Sequence, residues 1–391
     1  MTQTVAAPSP GLPRGETLPA RGGRLPFIDR LRGLAMLMVM AYHCWVHTIR
    51  SPIAVPVGRW RVDVTSPLHL GYLGVHLFLV LSGFCLTYPL ARDGAAAMRL
   101  DPHRFFRRRA WRILPPYYAA LAVFALFPLL ERAVRVSLGR PVAGVPSVTV
   151  GQVLSHLLMV HNFSLAWMGS INASFWSLAL EWQLYLAFPL LVWGFCRWGP
   201  ARTLAAVLAL TLAYRTWVYR TQDVNRLEIG YLYSYALPGR LFEFVLGMTA
   251  ALALARLPVT PGPGWIRRYL AGAVALGLMG VLVAHRWSLF SPVTDVVWGL
   301  SFFCLVMYAG GRSAAGGGWL DSRPLVALGL ISYSVYLIHE PLIRSGYGVI
   351  ESLHLAPVAT LLLFELGIAP LLIALGWLFF CAVEARFVRK R

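Results

Sequence analysis

Arg32 and His43, two residues on the first apolar segment of the chain, have side chains that could bind and activate a substrate. They are eleven residues apart, which is three helical turns plus about 20°, so both lie on one face of a helix. The rise between them is about 16 Å. This spacing suits one long ligand whose anionic end binds Arg32 and whose reactive end reaches His43. A topology role for Arg32 and a helix-contact role for His43 remain open.

His43 and His47 have the i, i+4 spacing of a zinc-binding pair. The chain has no HExxH motif, and no third ligand lies nearby in the sequence. We therefore expect no metal site, and we expect His47 to lie at the membrane interface.

Glu181 lies about ten residues inside another apolar segment, where a lone carboxylate must be paired or protonated. We expect an Arg or His elsewhere in the bundle as its partner, and structural pairing and catalysis are equally open. His76 is a second candidate intramembrane imidazole. Further ionisable residues in apolar segments are Arg240, Glu243, Asp295, His339, Glu340 and Glu365.

The densest basic run of the chain contains Arg109 and Arg112. Guanidinium groups bind phosphates through two hydrogen bonds at once, so the run could hold a phosphorylated ligand. A basic run beside an apolar segment can equally be a topology determinant that contacts lipid phosphates.

Composition identifies the elements that must position these residues. Of the 391 residues 58% are hydrophobic and 13% are charged, against about 25% charged in soluble domains. With a mean hydropathy of +0.63, the chain is an all-α polytopic membrane protein. The net charge of +19 does not indicate nucleic-acid binding, because the arginines lie between apolar segments and form no basic domain.

Ten apolar segments are long enough to span a bilayer. Residues 1–26 have the composition of a disordered tail, 27–385 form the membrane domain and 386–391 form a basic tail. Residues 151–165 are expected at the interface or as a re-entrant stretch. The ten segments lie near 33–52, 70–91, 113–130, 172–195, 203–219, 237–256, 269–285, 291–310, 325–345 and 357–382.

Basic residues predict the orientation. With the N-terminus inside, 23 of the 35 Arg and Lys residues lie on the cytoplasmic side. Ten spans return the C-terminus to the same side, so both termini are expected in the cytoplasm.

Some of these residues fall in blocks that resemble one enzyme family. Arg32 followed by His43 is similar to the Arg-x10-His signature of the acyltransferase-3 family of membrane O-acyltransferases. Arg109-Ala-Trp111-Arg112 resembles the family's cytoplasmic Arg-x-x-Arg motif, and the same Leu-Pro-Pro-Tyr run follows it.

Three further blocks resemble the same family, at 71–84, 176–185 and 328–341, so the resemblance covers about 27–385. His76 stands where the family usually has Asp, which removes a carboxylate that could orient the catalytic histidine. The resemblance marks six residues as acceptor-binding or supporting: His76, Ser82, Trp176, Tyr185, Tyr333 and His339.

The resemblance implies transfer of an acyl group, usually acetyl, from acyl-CoA to a hydroxyl of a carbohydrate on a surface glycan. Acyl-CoA is then a co-substrate, no cofactor is bound, and the protein lies in the plasma membrane. We expect His43 and Glu181 as catalytic residues, His43 being the base or the carrier of a transient acyl group. Arg32, Arg109 and Arg112 are the expected donor-binding residues.

Three alternatives remain open. One is acylation of a small metabolite such as a macrolide. The second is a proton-coupled transporter, because intramembrane His and Glu also suit proton coupling, although the chain has no internal repeat. The third is a structural or lipid-binding membrane protein.

Reporter fusions test the predicted orientation. A reporter that is active only outside the cytoplasm should be silent when fused after Arg391 and active when fused near Arg140. Activity of the C-terminal fusion would mean that the number of spans is odd.

Overall fold

The computed structural model describes residues 25–49, 54–58, 60–63, 65–91, 94–139, 141–142, 145, 147–257, 261–314 and 322–388. The expected tail thus lies outside the described residues over 1–24, and the basic tail does so over 389–391. The first described residues already enter a helix, which begins at Pro26, a residue type favoured in the first helical turn.

Long helices form most of the described structure. They are α1 Pro26–Thr48, α3 Leu73–Thr87, α4 Pro102–Ser137, α7 Trp176–Trp198, α8 Pro200–Thr221, α10 Leu237–Ala255, α11 Pro263–Arg286, α12 Thr294–Ala314 and α13 Arg323–Ile350. A final long helix, interrupted by π-helical turns at Phe364–Ile368 and Phe380–Glu384, consists of α14 Pro357–Leu363, α15 Ala369–Phe379 and α16 Ala385–Val388.

Short elements connect the long helices. The short helices are α2 Ser66–His69, α5 Val150–Leu157, α6 Leu165–Met168 and α9 Leu227–Ser234, and 3-10 turns lie at Leu70–Tyr72, Tyr88–Leu90, Ala95–Ala97, His161–Phe163 and Glu351–Leu353. An antiparallel hairpin of β1 Ala54–Val57 and β2 Trp60–Asp63, which the apolar pattern did not predict, follows α1.

The prediction of an all-α polytopic membrane protein is confirmed, since the described part of each of the ten apolar segments lies largely in one long helix. Among the described residues, eight helices are long and apolar enough to cross a membrane. The other two, α1 and α8, are 23 and 22 residues long but are less apolar. In α1 the polar residues include Arg32 and His43, which are the residues singled out for chemistry.

The helices divide into a buried centre and a lipid-facing periphery. In α10, 78% of the apolar stretch is buried, against 17% in α11 and in the final helix. Exposed Leu and Val side chains on the peripheral helices therefore face the lipid tails rather than water. The central helices, among them α1, α3, α10 and α13, are the ones that can enclose a site.

Glycines let the central helices approach until their backbones touch. A Cβ added at Gly329 on α13 would lie 1.8 Å from the carbonyl oxygen of Asp29 on α1, and one at Gly33 would lie 2.2 Å from that of Leu325. The same contact joins α3 and α10, where a Cβ at Gly83 or at Gly247 would lie 1.9 Å from a facing carbonyl oxygen. Small residues at such crossings allow tight helix packing in membranes.

Gly329→Ala should destabilise the protein by about 1–3 kcal/mol, because the methyl group collides with backbone that cannot turn aside. Gly348→Ala on the same helix is the matched control. No neighbouring atom lies within 4 Å of its added Cβ, so this change should be neutral or stabilising by up to about 1 kcal/mol. Thermal unfolding of the purified protein in detergent measures both, and equal midpoints would contradict the packing argument.

Candidate active site

A cavity of about 490 Å³ opens at the Arg32 end of the bundle. It brings together all three arginines predicted to bind a donor, Arg32 on α1 and Arg109 and Arg112 on α4. Arg109 and Arg112 are three residues apart on one helix, so both can point to the same side. Four other predicted site residues line the same cavity: Ser82, Glu181, Tyr185 and Tyr333.

Weak partners leave the Arg32 guanidinium able to bind an anion. It donates a hydrogen bond to the Cys85 sulfur at 3.4 Å, and it lies 3.9 Å from the Asp29 carboxylate. Thiol sulfur is a weak acceptor, and the carboxylate lies beyond hydrogen-bond distance. The cavity wall therefore carries a concentrated positive charge that would attract phosphates.

Glu181 lines the cavity, and its carboxylate is held by hydroxyl groups. Ser82 donates a hydrogen bond to its carboxylate at 3.1 Å, and the Tyr185 hydroxyl, one turn further along α7, donates a short one. The expected Arg or His partner is therefore replaced by Ser and Tyr. Tyr333 is directed elsewhere, since its hydroxyl donates to the Ile113 carbonyl of α4 at 2.9 Å.

Ser177 and Tyr336 also line the cavity, and their hydroxyls are 2.6 Å apart. The Tyr336 ring lies 5.2 Å from the ring of His339, measured between centroids. Tyr336 thus links the cavity wall to the histidine that follows it by one helical turn.

Pro341 explains the local backbone around His339. Proline has no N–H, so the carbonyl of Leu337 one turn earlier lacks its helical donor. The side-chain amide of Asn172 donates to that carbonyl at 2.9 Å instead. The segment before α7 is in this way fixed to the break in α13, as irregular backbone in a membrane protein requires.

His339 contacts His43, with 3.3 Å between His339 Nε2 and His43 Nδ1. Each Nδ1 also lies 2.8 Å from a backbone carbonyl of its own helix, at Val39 for His43 and at Tyr336 for His339. Because a carbonyl oxygen only accepts, the Nδ1 of each neutral ring carries the proton. His43 Nε2 is consequently left as a lone-pair nitrogen, which is the form that a base or a nucleophile needs.

His47 Nε2 lies 3.7 Å from the carboxylate of Glu340, which is 3% exposed. The other carboxylate oxygen of Glu340 accepts a hydrogen bond from the backbone N–H of Ala173 at 3.3 Å. A buried acid thus lies next in sequence to His339.

His76 lies apart from these groups, in a buried cluster between α3, α8, α10 and α12. Its Nδ1 is 2.8 Å from the Glu243 carboxylate, and Arg240 contacts the ring, Glu243 and Asp295. Arg215 forms a further short ion pair with Asp295. His76, Glu243 and Asp295 have the spacing of metal ligands, but the two guanidiniums already balance the two carboxylates.

His156 and His161 form a stacked pair that the sequence did not single out. Their rings are parallel, with 3.9 Å between centroids, and both residues are buried. Burial lowers the pKa of His161 to about 3, and the neighbouring His156 adds to this effect, so the ring is neutral at physiological pH. One side of the stretch 151–165 is therefore packed into the protein, and Asn162 also accepts a hydrogen bond from Gln183 of α7 at 2.9 Å. The other side is exposed, for example at Leu154, Leu158 and Phe163.

Cavity residues that the sequence did not single out include Cys85, Ser177, Tyr336 and Glu384. Ser177 and Tyr336 lie within the 176–185 and 328–341 blocks, so those blocks contained a signal for them. Glu384 lies in the final helix, where its carboxylate accepts a hydrogen bond from Ser334 at 2.5 Å. Glu384 stands in an apolar stretch of sequence outside those blocks, so no sequence motif pointed to it.

A multi-pass helical bundle with an arginine-lined cavity and a histidine pair is an arrangement that suits a membrane enzyme of group transfer. The chain belongs to the acyltransferase-3 family, because the family's acyltransferase domain matches residues 25–381. It is an acyltransferase, and the resemblance that the sequence motifs suggested is confirmed.

Curated relatives carry the same activity in their names. The chain is 28% identical to the acyltransferase MdmB of Streptomyces mycarofaciens, over 84% of this chain and 82% of that protein. It is 26% identical to the peptidoglycan O-acetyltransferase OatA of Listeria monocytogenes and 24% identical to the O-acetyltransferase OatA of Staphylococcus aureus. These matches cover 84% and 82% of this chain but 50% of each OatA protein. No solved structure is significantly similar to the chain.

Proposed function

We propose that the protein transfers an acyl group, most simply acetyl, from acyl-CoA to a carbohydrate hydroxyl at the cell envelope. One observation carries the proposal. A cavity lined by three arginines is also lined by Tyr336, and the Tyr336 ring contacts His339, which contacts His43. This is the order of groups along acyl-CoA, which has phosphates at one end and a thioester at the other.

In this proposal Arg32, Arg109 and Arg112 bind the phosphates of the donor. The acyl-pantetheine arm then extends past Glu181 toward His43, over a rise along α1 of about 16 Å. Glu181, Ser82 and Tyr185 offer one carboxylate and two hydroxyls to the amide groups of the arm. Glu181 acts there by positioning the donor, and Tyr333 supports the wall through its bond to α4.

His43 Nε2 removes the proton from the acceptor hydroxyl. The oxygen attacks the thioester carbonyl, the carbon–sulfur bond breaks, and the proton passes to the departing thiolate to give free CoA. His339 holds the His43 ring in place through the Nε2–Nδ1 contact. A two-step route through acyl-imidazole uses the same nitrogen and would release CoA before any acceptor is added.

The acceptor is inferred from the relatives. Two OatA relatives are named as O-acetyltransferases, one of them of peptidoglycan, which supports a carbohydrate of the cell envelope as the acceptor. Such a role fits the plasma membrane, with both termini in the cytoplasm and the arginine-lined cavity facing cytoplasmic acyl-CoA. A small metabolite such as a macrolide is the alternative acceptor, and proton-coupled transport is the alternative class of function.

His43→Ala should reduce acyl transfer by about 10²–10⁴-fold, because the lone pair that accepts the hydroxyl proton is lost. His285→Ala is the control, since His285 is an exposed histidine on peripheral α11. Transfer from radiolabelled acetyl-CoA into glycan is measured in membranes that contain equal amounts of each protein. Wild-type rates with His43→Ala would remove His43 from the mechanism, and absence of thioester cleavage by the wild type would favour a transporter.

Arg109→Ala with Arg112→Ala should weaken acetyl-CoA binding at least tenfold at low salt, because two charged hydrogen-bond donors leave the cavity. Arg107→Ala with Arg108→Ala is a matched control, since both side chains are exposed and neither lines the cavity. Calorimetry at low and high salt measures the affinities, and the difference should shrink as salt screens the wild-type contact. Equal losses in the two double variants would show that the run acts only through its overall charge.

A further inference from the structure

Aromatic side chains surround the end of α1 that is opposite to Arg32. Tyr42 is next to His43, and their ring centroids are 5.2 Å apart. Ten residues separate Tyr42 from Arg32, which is a rise of about 15 Å along the helix. A ligand bound among these rings would therefore approach His43 from the side opposite to the arginine-lined cavity.

The rings on α1 continue into the segment before α3. Trp45 lies 6.4 Å from Tyr42 and 4.9 Å from His69, and Tyr72 lies 6.1 Å from Tyr42, all between centroids. Trp45, His69 and Tyr72 thus surround Tyr42, which forms one side of an aromatic wall.

The other side of the wall comes from α9 and from the start of α7. Tyr231 lies 5.3 Å from Tyr235, and Tyr235 stacks on Trp176 at 3.5 Å with an angle of 4° between the rings. The two sides are joined through His76, whose ring lies 5.7 Å from that of Tyr72 and is contacted by Arg240. The Arg240 guanidinium lies 5.2 Å from the Tyr235 ring and gives that ring a fixed position.

These rings are only half-buried although they lie among tightly packed helices. Tyr42 and Tyr235 belong to none of the four hydrophobic clusters that the described residues form, whereas Trp176 and Tyr231 pack against the edges of two of them. Tyrosine and tryptophan combine an apolar face with a polar edge, and they are typical of surfaces that are partly wet. The wall therefore lies at the edge of the packed core and offers the partly exposed aromatic groups that a binding surface needs.

We propose that this aromatic wall, formed by Tyr42, Tyr231, Tyr235 and Trp176, is the acceptor site and that its occupant is a saccharide. The proposal rests on the proposed function and deepens it. A pyranose ring has a flat face of C–H groups that packs on an aromatic face, and hydroxyls at its rim that bond to phenol groups. A saccharide on the wall has its rim hydroxyl directed at His43 Nε2.

The residue types in the wall favour a saccharide over a lipid as the acceptor. An acyl chain has no hydrogen-bonding groups and is matched by Leu, Ile and Val side chains. The wall instead offers three phenol groups, at Tyr42, Tyr231 and Tyr235. Its guanidinium neighbour Arg240 is paired with Glu243 and Asp295, so the wall provides no free cation for an anionic ligand.

Saturation-transfer NMR on the purified full chain in nanodiscs tests the inference. The probes are tetramers of N-acetylglucosamine, glucose and rhamnose, together with a macrolide lactone for comparison. At least one tetramer should bind, with the strongest saturation on the C–H protons of one ring face. Tyr231→Leu and Tyr235→Leu should each raise its Kd about tenfold, which corresponds to about 1.4 kcal/mol.

Trp287→Leu is the matched control, because Trp287 follows α11 and is 66% exposed; saccharide binding should be unchanged. Each variant must retain wild-type affinity for acetyl-CoA, which shows that it is folded. The inference is overturned if no tetramer binds, if only the macrolide binds, or if both Leu variants bind saccharide like wild type. If the wild-type protein does not bind acetyl-CoA, the proposed function is overturned, whatever the saccharide result.

Discussion

The backbone contact between α1 and α13 is the constraint on which the rest of the site depends. Gly33 and Gly329 allow it, and they are 296 residues apart in the sequence. His43 and His339 are separated by the same 296 residues. Since the two helices are parallel, a contact fixed at the glycines also fixes the register ten residues further along, where the imidazoles meet. The membrane supplies no hydrophobic drive for this pairing, so close packing of small residues has to supply it.

In this register, α1 places two different functional groups at two different levels of the bundle. Near its beginning α1 contributes a cation to a charged cavity, and near its end it contributes a neutral imidazole whose tautomer is set by backbone carbonyls. The guanidinium and the imidazole do not contact each other, because about 16 Å of helix lies between them. The ion pairs of Arg215, Arg240, Glu243 and Asp295 form a separate buried cluster, which holds α8, α10 and α12 together without drawing on the cavity.

The sequence predicted the helices well because hydrophobic length in a membrane protein is a local property. Arg32, Arg109 and Arg112 could likewise be assigned to one site from their family blocks. The contact of His339 with His43 could not be predicted, since it depends on helix register across 296 residues. Glu181 was expected to pair with a charge, yet it is held by Ser82 and Tyr185. A lone carboxylate predicts that a partner exists but not which helix provides it.

The final helix illustrates a different limit, through its two π-helical turns at Phe364–Ile368 and Phe380–Glu384. A π turn accommodates one residue more than an α turn, and each residue advances the side-chain direction by about 100°. Two such turns give the helix a phase offset of about 200° between its beginning and its end. The α-helical period that marks the lipid-facing side near Pro357 therefore does not mark it near Glu384. The helix can in this way turn a carboxylate toward Ser334 while its apolar residues remain in lipid.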